Sequence, residues 1–228
     1  MTQHPAMPHG SIDEVFPDVF VLRGSYRAGI GARFDRNMTL VRRGTELVAI
    51  NSVRLSDDGE RALAKLGTVK HVIRIGASHG ADDPYFVERF GATLWGPAKM
   101  KHAVAARTLA PSDLPLDATL FTFDGGAMAE AALVVPVAGG ILVTCDSYQN
   151  WTTFEHCSWL VRRVAPRMGF GPSVIGGPWL KKQGHEAVRD DFARLAALPF
   201  VHAIPGHGTP LRDHAQAGVR DAIGRAYH

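Results

Sequence analysis

Val201-His202-Ala203-Ile204-Pro205-Gly206-His207-Gly208 is the stretch on which the reading of this chain turns. Val201 to Ile204 has the composition of a short buried strand, and Pro205-Gly206 ends it. His207 is thereby delivered on a tight turn between two glycines, with little backbone bulk around its imidazole. A metal-ligating histidine needs that access, although an isolated histidine in such a place can equally be a turn residue with no partner. Upstream, Ile141-Leu142-Val143-Thr144-Cys145-Asp146 repeats the arrangement. An apolar strand presents the Asp146 carboxylate at its rim, where the plain alternative is a turn or helix cap.

A third strand, Val69 to Ile75, lacks clean alternation and reads as buried on both faces. It runs into Gly76-Ala77-Ser78-His79-Gly80-Ala81-Asp82-Asp83, and a helix is expected from Pro84 to Phe90. The acidic pair before Pro84 is also what an ordinary helix start looks like, because carboxylates there complement the helix dipole. A hard or borderline divalent cation accepts imidazole and carboxylate together. His79, Asp82, Asp146 and His207 are therefore the candidate metal ligands.

Around these stretches the chain reads as α/β. Strands are expected at Val15 to Arg23 (broken at Pro17-Asp18 and ended by Gly24), Asn37 to Arg42, Glu46 to Asn51, Thr93 to Trp95, Thr119 to Phe123, Glu130 to Val135 and Ile141 to Thr144. Helices are expected at Asp57 to Leu66, Trp159 to Val164, Glu186 to Leu198 and Arg212 to Tyr227. The region from Lys99 to Leu116 stays ambiguous. Residues 1–12 read as a loose tail and 13–228 as one domain. With 228 residues, 46% hydrophobic and 21% charged, the chain has an ordinary globular composition.

The net charge of +3 is scattered, which leaves no nucleic-acid footprint. No segment is long and apolar enough to span a bilayer, and no secretory pattern precedes the two cysteines. The expectation is a cytoplasmic protein with Cys145 and Cys157 free, a small-molecule substrate, no nucleic-acid or membrane partner, and homo-oligomerisation open. Trp151, Phe154, Trp159 and Trp179 either line a substrate pocket or pack beneath a long loop.

Taken together, these residues resemble the metallo-β-lactamase-fold superfamily from about Val15 to Leu211. In that family a strand leads to a Thr-His-x-His-x-Asp-His loop, and Gly76 to Asp82 is the corresponding stretch. His79 matches the second histidine, Ala77 and Ala81 replace the first histidine and the aspartate, and Asp82 stands at the last histidine. Ala127 falls near a further lost histidine, while Cys145-Asp146 matches the family's Gly-Asp strand end. The Pro-Gly-His-Gly turn at Pro205 to Gly208 is kept without change.

The resemblance implies a four-layer αββα sandwich with the site at one edge between two sheets. It further implies a degenerate metal motif holding at most one divalent ion (Zn, Fe or Mn), or none. The implied activity is metal-dependent hydrolysis of a small ester, thioester or lactone, with Asp146 and Asp83 as its catalytic carboxylates: Asp146 orients the attacking water and Asp83 stands in for the aspartate lost at Ala81. The alternative is a non-catalytic binding or scaffold protein that has lost the metal site. A third reading, iron-dependent oxidation of a sulfur substrate, requires a facial His and carboxylate arrangement.

Overall fold

Alternation along each strand sends its side chains to two different layers, and the architecture follows from where they pack. The structure, a computed structural model, describes residues 5–227. One sheet has seven strands in chain order: β1 (Ile12–Phe16), β2 (Val19–Gly29), β3 (Ala32–Arg43), β4 (Glu46–Ile50), β5 (Thr68–Ile73), β6 (Thr93–Gly96) and β7 (Ala106–Thr108). It is antiparallel up to β4 and parallel beyond.

The second sheet contains β8 (Thr119–Phe123), β9 (Glu130–Val135), β10 (Ile141–Val143) and β13 (His202–Ile204) in the order β13-β10-β9-β8, with β13 parallel to β10. A small ribbon pairs β11 (Tyr148–Gln149) with β12 (Val174–Ile175). The helices are α1 (Asp57–Leu66), α2 (Asp83–Phe90), α3 (Trp159–Val164), α4 (Gly177–Gln183), α5 (Arg189–Ala196) and α6 (Ala215–Tyr227).

Val19, Val21, Val48, Ile50 and Ile73 of the first sheet meet Ala131, Leu133, Ile141, Val143 and Ile204 of the second in the central core. The alternate residues Phe20, Leu22, Leu47 and Ala49 turn outward to Leu63 of α1 and Phe86 of α2. On the other side Phe121, Phe123 and Leu142 pack under Trp179, Phe192 and Val219 of α4, α5 and α6. These are the four layers of an αββα sandwich.

Several boundaries differ from the sequence expectation. Gly24 does not end a strand, and β2 continues to Gly29 paired with β3. A Cβ at Gly24 would lie 2.7 Å from Val53 Cγ1, so this glycine answers a packing need and is no stop signal. The helix expected from Glu186 to Leu198 is a 3-10 turn at Glu186–Val188 followed by α5. The ambiguous region contributes the short edge strand β7, and α4, with Pro178 in its first turn, had no counterpart in the expectation. In the N-terminal segment, residues 1–4 lie outside the described residues, whereas the Gly10 amide donates to Arg23 O and Ser25 Oγ to Pro8 O.

The ends of β5, β10 and β13 meet at one edge of the sandwich. Asn51, just past β4, joins them: its Nδ2 donates to Thr144 O at 3.1 Å, and its Oδ1 accepts from the Ile75 amide at 3.5 Å. The Ala131 amide adds a bond to Ile75 O across the two sheets. A buried Asn in place of a strand residue is the joint that brings the two sheets' loops together.

Candidate metal centre

The Pro-Gly-His-Gly turn after β13 has its shape because its glycines admit no side chain. A Cβ on Gly206 would sit 2.8 Å from Cys145 O, and one on Gly208, at φ +83°, would sit 2.0 Å from Asn150 O. The turn is pressed against the end of β10, which sets His207 beside Asp146. Asn37 of β3 holds it from the opposite side, with Nδ2 donating to Pro205 O and Gly208 O, each at 2.8 Å, and its amide donating to Gly206 O.

His79, Asp146 and His207 converge. His207 Nε2 is 2.9 Å from Asp146 Oδ1, His79 Nε2 is 3.2 Å from the same oxygen, and the two Nε2 atoms are 3.0 Å apart. Both imidazoles are buried. Burial is the largest influence on Asp146 and raises its carboxyl, but the facing His79 and His207 outweigh it and hold the group below the usual carboxylate range. Burial likewise pushes the His79 imidazole down.

The proton inventory of this triangle is informative. His207 Nδ1 lies 2.6 Å from Asp35 O, and a carbonyl oxygen can only accept, so Nδ1 carries the hydrogen. In the neutral ring this leaves a lone pair on Nε2, facing a carboxylate oxygen that is also an acceptor. Only a proton on an imidazole or a cation among the three atoms reconciles them. Tetrahedral ligation at about 2.0–2.1 Å puts neighbouring ligand atoms roughly 3.3 Å apart. The donor set therefore fits a small divalent ion in both chemistry and spacing.

Asp82 and Asp83 are not brought to this triangle. Asp82 Oδ2 is ion-paired with Arg36 and accepts from the Arg54 amide at 2.8 Å. Asp83 is buried, takes a 2.7 Å hydrogen bond from Ser52 Oγ and faces Arg74 at 3.9 Å. Burial, only partly countered by the Ser52 bond, raises its carboxyl to about 6. Neither lines the cavity that opens on the triangle. The physical reason is that each carboxylate is held by partners from distant parts of the chain, Asp82 by Arg36 and the Arg54 amide and Asp83 by Ser52.

Cys145 Sγ completes a second grouping, within 4.8 Å of the ligand atoms of His79 and Asp146. It is a core residue by burial, and burial pushes its thiol well up, which keeps it protonated. Both cysteines are free. Glu130 is also fully enclosed nearby, accepting from the Ser147 amide at 2.8 Å and from Trp179 Nε1 at 2.6 Å.

A cavity of about 580 Å³ opens on His79, Asp146 and His207, walled by Phe34, Trp151, Phe170 and Trp179 with Arg27, Arg36 and Lys182 among its polar lining. Trp151 stacks on the His207 ring at 5.6 Å, with Phe154 stacked behind it at 5.4 Å. Of the four aromatic residues singled out from the sequence, Trp151 and Trp179 line the cavity and Trp159 is exposed. The β2–β3 hairpin residues Tyr26, Arg27 and Phe34 carried no sequence signal of their role, because only the pairing of the two strands folds them over the cavity. For Asn37 there was one: a lone amide inside an otherwise strand-forming run.

No protein-family model and no curated protein matches the chain. Solved structures do match it in shape. The DIM-1 metallo-β-lactamase exposed to ceftazidime superposes with a TM-score of 0.69 at 12% identity, covering 97% of this chain and 100% of that one. The mono-zinc form of the metallo-β-lactamase FIM-1 from Pseudomonas aeruginosa gives 0.65 at 12% identity, with 99% of each chain covered. A metallo-β-lactamase from Erythrobacter litoralis gives 0.63 at 13% identity, covering 97% of this chain and 96% of that one. At such identities the likeness establishes the fold.

Proposed function

We propose that this chain, a divergent protein of the metallo-β-lactamase fold, is a metal-dependent hydrolase of small ester, thioester or lactone substrates. Its site is reduced to one divalent ion (Zn, Fe or Mn) held by His79, Asp146 and His207. The reading rests on one observation: three potential ligand atoms, two imidazole Nε2 and a carboxylate oxygen, lie within 3.2 Å of one another at the floor of a cavity, with the assigned Nδ1 hydrogen of His207 directed away from them. A bound ion would supply Lewis acidity toward a carbonyl oxygen and lower the pKa of water near neutral pH.

The chain's own groups account for the rest. The Asp35 carbonyl keeps a hydrogen of His207 on Nδ1, so the neutral ring presents its Nε2 lone pair to the site. Asp146 is the one carboxylate lining the cavity among the described residues, and its role in this reading is to orient the attacking water beside the ion. Phe34, Trp151 and Phe170 exclude bulk water and accept the apolar part of a substrate. Ala77, Ala81 and Ala127 offer no ligand atoms, and the Arg36 pairing withdraws Asp82, which is why a single ion is assigned.

Elemental analysis of protein purified without added metal is expected to find about one ion per chain, and His79→Ala, Asp146→Ala and His207→Ala each to remove it together with activity on an ester, thioester and lactone panel. Absence of Zn, Fe and Mn at any useful stoichiometry would overturn the reading.

A further inference from the structure

Five of the six exposed large apolar side chains among the described residues fall on two neighbouring segments. Ile30, at 105% relative exposure, is the tip of the β2–β3 hairpin; Trp159 at 73%, Leu160, Val164 and Met168 at 68% lie on α3 and the 3-10 turn Ala165–Met168 that continues it. The two segments are tied together: Ser158 Oγ donates to Gly31 O at 2.8 Å, the Ser158 amide to Arg33 O, and Arg33 Nε to His156 O.

Spacing explains why these side chains stay outside. Val161 and Ala165 turn inward and are buried, whereas Leu160, Val164 and Met168 recur every fourth residue on another face. Arg163 and Arg167 follow the same step beside them. Residues 26–34 and 156–170 contain no Asp or Glu but carry Arg27, Arg33, Arg162, Arg163 and Arg167. None of these five is ion-paired with a carboxylate among the described residues.

We propose that this face, hairpin tip and α3 together, attaches the protein to the surface of an anionic lipid bilayer. Exposed Trp, Leu, Met and Ile side chains set among arginines that have no carboxylate partner combine the two contributions that surface attachment needs, apolar burial at the headgroup boundary and attraction to anionic lipid. A two-fold contact with a second copy would set five arginines against five. A nucleic acid would engage the arginines and leave Ile30 and Met168 in water. Attachment to a surface is distinct from spanning, and no helix of the described residues is long and apolar enough to cross a membrane. Because Arg27 and Ala28 belong both to this hairpin and to the cavity lining, attachment would bring the cavity rim close to the lipid.

Co-sedimentation of the full chain with phosphatidylcholine vesicles, with and without phosphatidylglycerol, tests the inference. Pelleting is expected with phosphatidylglycerol only and should decline with salt. Arg163→Ala/Arg167→Ala should lower the partition coefficient by about fivefold per residue at low ionic strength. Ile30→Ser/Trp159→Ser should lower it further while circular dichroism stays native. Trp95, Trp151 and Trp179 are buried, so a blue shift of emission on adding vesicles to the unmutated protein reports Trp159 without reliance on any variant. No pelleting and no blue shift with anionic vesicles would overturn the proposal, as would pelleting that the Ile30/Trp159 variant leaves unchanged. A dimer in sedimentation analysis that this variant dissolves would overturn it too, assigning the face to self-association, and so would binding only to an acidic polypeptide.

Discussion

His207 Nδ1 stands 2.6 Å from the carbonyl oxygen of Asp35, a residue of β3 in the opposite sheet. The contact fixes the ring's tautomer and its orientation at once, and it comes from backbone, so no substitution of the Asp35 side chain removes it directly. Two residues further along the same strand, Asn37 clamps the turn that carries His207. The position of the histidine is thus set by the packing of one sheet on the other.

Asn37→Ala leaves His207 in the chain but frees its turn. Partners that orient a ligand commonly account for a 10–100-fold effect on metal affinity, so a loss on the order of 10-fold or more is expected. A stability decrease of about 1–3 kcal/mol should accompany it, from two buried carbonyls left unpaired. Competition titration with a chromogenic chelator and urea unfolding measure the two; unchanged affinity would separate Asn37 from the site.

Gly208→Ala places a Cβ 2.0 Å from Asn150 O at a backbone conformation of φ +83°. Strain and collision together should cost roughly 1–3 kcal/mol or more and push His207 away from Asp146. Thermal unfolding should report the first and metal content the second. Gly171→Ala, a position with nothing within 4 Å, serves as a control with little effect.

The Asp83 carboxyl, raised by burial from 3.8 to about 6, binds a proton in the folded protein that the unfolded chain has already released. Its contribution is therefore favourable at low pH and lost as pH rises from about 4 to 6, with a magnitude on the order of 3 kcal/mol. Asp83→Asn, which can still accept from Ser52, should remove that slope. Urea unfolding at several pH values across the window, compared between the two proteins, should show the variant gaining relative to the unmutated chain as pH rises; parallel curves would mean that Asp83 is not held protonated.

An ion that binds the folded chain alone raises the melting temperature by mass action. At a free concentration of 100 times the dissociation constant the gain is about 2.7 kcal/mol, several degrees for a chain of this size. Scanning calorimetry after chelation and after adding back Zn or Mn should display that shift, and His207→Ala should abolish it. A melting temperature indifferent to every divalent ion would count against the His79, Asp146 and His207 site.

Much of this was legible in the residues themselves. The apolar run Ala131 to Val135, the helix from Asp57 to Leu66, and the two strands leading to Asp146 and His207 are local patterns, and local sterics and hydrogen bonding suffice to write them. The αββα fold was implied by the family resemblance that the Pro-Gly-His-Gly turn and the Cys-Asp strand end carry. What proximity along the chain could not supply was the partner of each charge. Asp82 and His79 are three residues apart, yet one meets Arg36 and the other meets Asp146 and His207, since the pairing of β3 with β2 and its packing on β13 decide which cation and which carboxylate share a space. The same long-range packing folded Tyr26, Arg27 and Phe34 over the cavity and left Ile30 and Trp159 outside. Sequence determined most of the strands, the Pro-Gly-His-Gly turn and the available ligands; only the closing of two sheets on each other decided which ligands converge.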